Sequence, residues 1–125
     1  MYEVRVQTHF YAAHRVRIPG RPLEAVHDHD FMVEAVFRDA DVDDAGILVD
    51  FAAVKRALHR IVEPLSDTNL GSSPLLAGLN PSAEHLARRL FDALLLELGA
   101  DAPLAAVYVT EAPGCVAGYV RSTDS

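Results

Sequence analysis

The chain has 125 residues, enough for one ordinary domain with little room for a second. Half of it is hydrophobic and 23% is charged, so it can bury a real core and is not expected to stay disordered. Eleven lysines and arginines against eighteen aspartates and glutamates leave a net charge of −7, which argues against a nucleic-acid or anionic-membrane binder.

The single cysteine, Cys115, excludes an intramolecular disulfide framework or a cysteine-based zinc cluster within these residues, and its expected role is packing. No apolar run reaches membrane-span length, and the opening MYEVRVQTHF alternates with charge, which does not read as a signal peptide. The expectation is a soluble cytoplasmic protein whose residues 1–125 form one domain.

Tyr2 to Phe10 has the period-2 pattern of a half-buried strand, with Tyr2, Val4 and Val6 on one face and Glu3, Arg5 and Gln7 on the other. The stretch IPGRPLEAV interrupts it. A second strand is expected over residues 28–38, where Phe31, Val33, Ala35 and Phe37 alternate with Met32, Glu34 and Val36. The acidic DADVDDAG that follows reads as a solvated turn, because its spacing does not match a calcium-binding loop. Asp50 can cap a helix with apolar positions Phe51, Val54, Leu58, Ile61 and Leu65. After SDTNLGSSP, Asn80-Pro81 supplies a cap and a first-turn proline for a second helix. Its stripe is Leu86, Leu90, Leu94 and Leu98, and Gly99 ends it. Residues 105–111 and 115–120 read as closing strands joined by Ala112-Pro113-Gly114. The order is ββααββ, an α+β domain with two helices covering one face of a four-stranded antiparallel sheet.

Six histidines are present: His9, His14, His27, His29, His59 and His85. His27 and His29 stand two apart on one strand face, roughly 6–7 Å from each other along the backbone. If the first two strands pair, His14 comes opposite them and three imidazoles converge. Three histidines with an open fourth position suit catalytic zinc, and by ligand type also nickel or iron. By itself His-x-His is a weak signal, as common in ordinary loop edges. His59 and His85 fall among polar helix positions and read as surface residues, and His9 reads as a satisfied, partly buried histidine.

These residues bring a resemblance with them. Phe10-Tyr11-Ala12-Ala13-His14, His27-Asp28-His29, Gly46-Ile47-Leu48-Val49-Asp50-Phe51, Asn80-Pro81-Ser82-Ala83-Glu84 and Val109-Thr110-Glu111, in this order and spacing, resemble the 6-pyruvoyl-tetrahydropterin synthase / 6-carboxy-tetrahydropterin synthase family over nearly the whole chain. The resemblance implies a T-fold (tunnelling-fold) subunit that trimerises through its sheets, two trimers stacking as a hexamer. It implies Zn2+ held by His14, His27 and His29, and a pterin pocket between subunits in which Glu111 grips the ring N–H groups and Ser82 and Glu84 help line the wall. A carboxylate accepting two adjacent N–H donors fixes a ring in place.

The chain departs from the family pattern at the chemistry. The family's cysteine base corresponds to Leu23, while Glu24 gives Glu-x-x-His-x-His, as in the branch associated with cleaving dihydroneopterin triphosphate to a 6-hydroxymethyl pterin. Glu24 can then act as a base or take the fourth metal position; its bland reading is a solvent-facing loop residue. The family's Asp–His relay corresponds to Ser66 and Asp67, and Asp67 would need a raised pKa to donate a proton at neutral pH. Asp28 replaces a glycine between the histidines, its side chain pointing away from the metal. Arg15, Arg17 and Arg21 either line a phosphate path or merely solubilise the loop. The leading expectation is a zinc-dependent lyase or synthase on 7,8-dihydroneopterin triphosphate or a related pterin, with Glu24, Asp67 and Glu111 catalytic. The sequence leaves the pathway open among biopterin, folate and queuosine-type routes. The rival is a non-catalytic zinc- and pterin-binding homologue.

Overall fold

The computed structural model describes residues 1–122. Four strands, β1 (Tyr2–His14), β2 (His27–Asp39), β3 (Leu104–Ala112) and β4 (Cys115–Val120), form one antiparallel sheet in chain order. Helices α1 (Phe51–Val62) and α2 (Ala83–Leu98) pack on one face of it. The ββααββ order stands as expected.

Strand periodicity decides the core. Val6, Phe10 and Ala12 from β1, Phe31, Val33, Ala35 and Phe37 from β2, and Val107 and Val109 from β3 all point at the helices and are buried. Their alternates, including Glu3, Arg5, Gln7 and Glu34, form a polar face on the other side of the sheet. On that face Arg5 donates to Glu3 and Glu34, Gln7 donates to Glu34, and Arg38 donates to Glu3. The two strands are longer than the sequence pattern suggests, and their register runs unbroken from Tyr2↔Asp39 to His14↔His27.

Asp50 accepts from the backbone N–H of Ala52 and starts α1, as expected. Val54, Leu58 and Val62 bury its inner face, but Phe51 is exposed because the first helical position faces away from the sheet. Pro64 stops the helix, so Leu65 is buried from a 3-10 turn and not from α1. The second helix starts later than its Asn-Pro signal implies. Ser82 is the cap, accepting from the N–H of His85. Asn80 is engaged elsewhere: its amide accepts from Arg17 N–H and donates to the Arg17 carbonyl, both at 2.8 Å. That pair ties the β1–β2 loop to the entrance of α2. Leu86, Leu90 and Leu94 are fully buried, each such side chain contributing about 1.5–3 kcal/mol over exposure. No helix among the described residues is long and apolar enough to cross a membrane.

Candidate metal centre and adjoining pocket

The last pair of the β1–β2 ladder, His14↔His27, sets the site. His29 follows two residues along β2 on the same face, and the three rings come together with centroids 4.6–5.2 Å apart. His14 is completely buried, and its Nδ1 lies 2.9 Å from the Pro81 carbonyl. That carbonyl can only accept, so the Nδ1 carries the proton and Nε2 presents its lone pair to the cluster. His27 Nδ1 is similarly placed against the Ala25 carbonyl at 3.1 Å. Backbone carbonyls thus orient two of the rings, as the outer contacts of a metal site do.

Glu111 joins them from β3. Val107 and Val109 set the parity that turns it to the helix side, and an irregularity in the β3–β4 register between Thr110 and Ala112 leaves it without a cross-strand partner. Such bulges re-aim a side chain. Its Oε1 lies 2.5 Å from His14 Nε2 and 3.9 Å from His29 Nε2. Both of those nitrogens are buried with no hydrogen-bond partner, so the Glu111 contact is close but not directed as a hydrogen bond. One atom from each of His14, His27, His29 and Glu111 lies within 4.8 Å of all the others. Two orphaned buried nitrogens, a third imidazole and a carboxylate fit a divalent cation of borderline softness, so these four residues could hold a metal ion. Burial lowers the His29 pKa, against the opposing pull of the Glu111 carboxylate, which favours the neutral ring that a metal requires.

A concavity of about 450 Å³ opens beside the cluster, between the β1–β2 loop and the start of α2. His27, Glu111, Glu24, Ser82, Glu84 and Arg17 all line it. Glu24 faces this concavity, and one of its oxygens accepts from Val16 N–H at 2.9 Å while lying 3.8 Å from His27 Nδ1. It is not in the group of four. Ser82 combines its capping role with a place in the wall, and Glu84 sits in the first turn of α2, where a negative charge suits the helix dipole. Glu111 also borders two neighbouring concavities, one with Glu84 and Cys115 and one with Asp28, His29 and Thr110.

Asp67 stands apart. It lines none of these concavities, is exposed, and has φ +59°; its N–H donates to the Tyr11 carbonyl at 2.7 Å on the outer edge of β1. Asp28 alternates with His27 and His29 along β2 and is exposed, turned to the opposite sheet face, as expected. Of the three arginines, Arg17 alone is in the wall of the main concavity.

Three expectations need correction. Cys115 is exposed at the start of β4, beside the turn that joins it to β3, and is not part of the core. His9 belongs to the polar sheet face, exposed and paired with Asp30 at 3.1 Å. His85 is half-buried, with Nδ1 2.7 Å from the Asn80 carbonyl, because the capping turn folds back over it; His59 is exposed as expected. The Pro81 carbonyl that orients His14 and the bulge that aims Glu111 have no signature in the sequence, because both depend on contacts between remote residues.

A family model described as 6-pyruvoyl tetrahydropterin synthase matches residues 3–122. Among solved structures, a 6-pyruvoyl tetrahydropterin synthase of Caenorhabditis elegans superposes with a TM-score of 0.84 at 20% identity, covering 97% of this chain and 96% of that one. That of Plasmodium falciparum gives 0.81 at 17% identity, covering 96% and 97%. A Plasmodium vivax synthase whose catalytic glutamate is replaced by alanine gives 0.75 at 14% identity, covering 97% and 98%. At such identities these likenesses speak for the fold, here the T-fold. No curated protein sequence matches the chain.

Proposed function

This chain belongs to the 6-pyruvoyl tetrahydropterin synthase family, and on that premise we propose that it is a zinc-dependent lyase or synthase acting on 7,8-dihydroneopterin triphosphate or a closely related pterin. The observation that carries the reading is that a cluster able to hold a metal opens into a concavity shared with a separate, non-ligating carboxylate, Glu24. In this reading His14, His27 and His29 hold the zinc. When bound, it supplies a Lewis acid for the oxygens of the substrate's side chain. Glu24 takes a proton from that side chain, held by Val16 N–H so that one oxygen stays oriented. Glu111 accepts from the ring N–H groups, and Ser82 and Glu84 bound the pocket. A Plasmodium vivax synthase of the same fold has a glutamate as a catalytic residue, which is in keeping with a catalytic glutamate here.

Asp67 assists Glu24 in this proposal only where subunits meet, because within one chain it lies outside the pocket. A trimer joined through its sheets, or two such trimers stacked, working in the cytoplasm, is therefore part of the same reading. Its test is to incubate the zinc-loaded protein with dihydroneopterin triphosphate and identify products by mass spectrometry, with Glu24→Ala alongside. A 6-pyruvoyl, 6-carboxy or 6-hydroxymethyl product that vanishes in the variant is expected, and its mass names the branch. The position of Asp67, with Ser66 beside it in place of the family's relay, favours the second reading, a zinc- and pterin-binding homologue without turnover. Tight substrate binding with no product would decide for it.

A further inference from the structure

Glu111 has one carboxylate and two demands upon it. Its Oε1 is turned into the histidines, against a buried His14 Nε2 and within 3.9 Å of a buried His29 Nε2, neither of which has a hydrogen-bond partner. The same side chain forms the common wall of three concavities around the cluster. Accepting two adjacent N–H donors from a ring takes both carboxylate oxygens at once. An oxygen that completes a metal's coordination is not free to do so. The local backbone suits a side chain with two positions: Glu111 lies at a register irregularity, just before the Pro113–Gly114 turn, and its side chain is 29% exposed.

We propose that Glu111 is the fourth ligand of the resting metal site, closing it, and that an arriving pterin draws the carboxylate off the metal and so opens the position it occupied. The inference rests on the zinc-site reading above and adds a switch to it. Three histidines and one carboxylate would fill the four positions of a tetrahedral site and leave none open for a ligand. The pterin ring then has a second function as the trigger that vacates a coordination position. Since binding at two places is coupled through one side chain, the coupling is reciprocal: whatever weakens the Glu111–metal contact favours ring binding.

The test reads metal binding, not turnover. Zinc affinity is measured by competition with a chromogenic chelator for the wild-type protein, Glu111→Gln and His29→Ala. A fourth ligand predicts that Glu111→Gln loses at least about tenfold in affinity. If wild type binds zinc and His29→Ala loses it while Glu111→Gln matches wild type, the fourth-ligand inference is overturned and the three-histidine site stands. If wild type does not bind zinc at all, both fall. The hand-over is read separately on the cobalt(II)-loaded protein titrated with neopterin, an oxidised pterin. The visible absorption, which reports coordination geometry, is expected to change in wild type as neopterin binds and to stay unaltered in Glu111→Gln at neopterin concentrations where its fluorescence shows it bound. Neopterin binding, followed by its fluorescence, that leaves the wild-type cobalt spectrum unchanged would overturn the switch.

Discussion

Replacing His14 by leucine separates what this residue does for the fold from what it does for a metal. Two opposing terms act in the metal-free protein. Losing the Nδ1–H leaves the buried Pro81 carbonyl without its donor, at about 1–3 kcal/mol. Losing Nε2 removes a fully buried nitrogen that has no hydrogen-bond partner, which relieves a penalty of about the same size. Leucine has a similar volume and fits among Phe31 and the neighbouring apolar groups. The variant without metal should therefore unfold within about 1–2 kcal/mol of wild type. With zinc the two proteins should part. At a free zinc concentration near a thousand times Kd, the wild type gains about 4 kcal/mol. For a chain of this length that is on the order of 12–20 °C in Tm. His14→Leu should show almost none of that shift. Thermal unfolding with and without zinc, followed by circular dichroism, measures both. A metal-free variant destabilised by more than about 3 kcal/mol would refute the account of His14 Nε2 as an orphan. A zinc shift retained in the variant would refute its place as a ligand.

Glu24→Ala should keep the full zinc-induced shift in Tm, since Glu24 is outside the ligand group, while losing about 1 kcal/mol from the vacated Val16 N–H; loss of the zinc shift would make Glu24 a ligand. In Gly118→Ala the new Cβ would run into the ring of Tyr108, its cross-strand partner in β3, so the ring must move. Urea unfolding should show a loss of about 1–3 kcal/mol, and an unchanged midpoint would contradict that seat for the ring. The Glu3 carboxyl is held below its ordinary value of 4.5 by hydrogen bonds from Arg38 and then Arg5. A depressed folded-state pKa stabilises above the unfolded value and loses that stabilisation as pH falls below it. The stability gap between wild type and Glu3→Gln should be small at pH 7, the groups being exposed, and should close on acidification from about pH 4.5 downward. A gap that widens in acid would reverse the assigned sign.

Much of the architecture is legible because it is written in local periodicity. The alternation of Phe31, Val33, Ala35 and Phe37 fixes which face of β2 is buried, and the same parity carries back to His29 and His27. Pairing β1 with β2 then brings His14 opposite His27, so the three-histidine cluster follows from two strands and one register. Glu111 is within reach of the same argument, because Val107 and Val109 share its parity. What parity cannot supply is the bulge that frees it from its cross-strand neighbour. The start of α2 is illegible for a different reason. Asn80 and Ser82 are both good N-caps in isolation, and the choice between them is made by Arg17, sixty-three residues from Asn80, whose backbone claims the asparagine. Cys115 and His85 escape local patterns alike, since exposure at an element's end depends on what the neighbouring element covers.

Three of the four departures from the family pattern lie outside the sheet; the fourth, Asp28, is on β2 but turns its side chain away from the histidines. Leu23 lies in the loop between β1 and β2, and Ser66 and Asp67 lie in the irregular stretch after the first 3-10 turn. The histidines, by contrast, are interior to a thirteen-residue strand pairing or its closing rung. A substitution at a buried strand position disturbs the packing of the side chains beside it, whereas a loop absorbs a change with little effect on its neighbours. The cluster that could hold a metal is thus built into the sheet, whereas Glu24 and Asp67, proposed above to move protons, hang from loops. Substituting loop residues changes the chemistry available to a bound ligand without disturbing the grip on it. Glu24 illustrates how such a loop keeps its residue useful: the Arg17–Asn80 clamp and the Val16 N–H hold the segment against α2. Release of the clamp in Asn80→Ala should therefore slow any Glu24-dependent turnover while leaving zinc affinity unchanged. A parallel fall in both, measured by product formation and chelator competition, would mean that loop and sheet are one rigid unit and that this division is wrong.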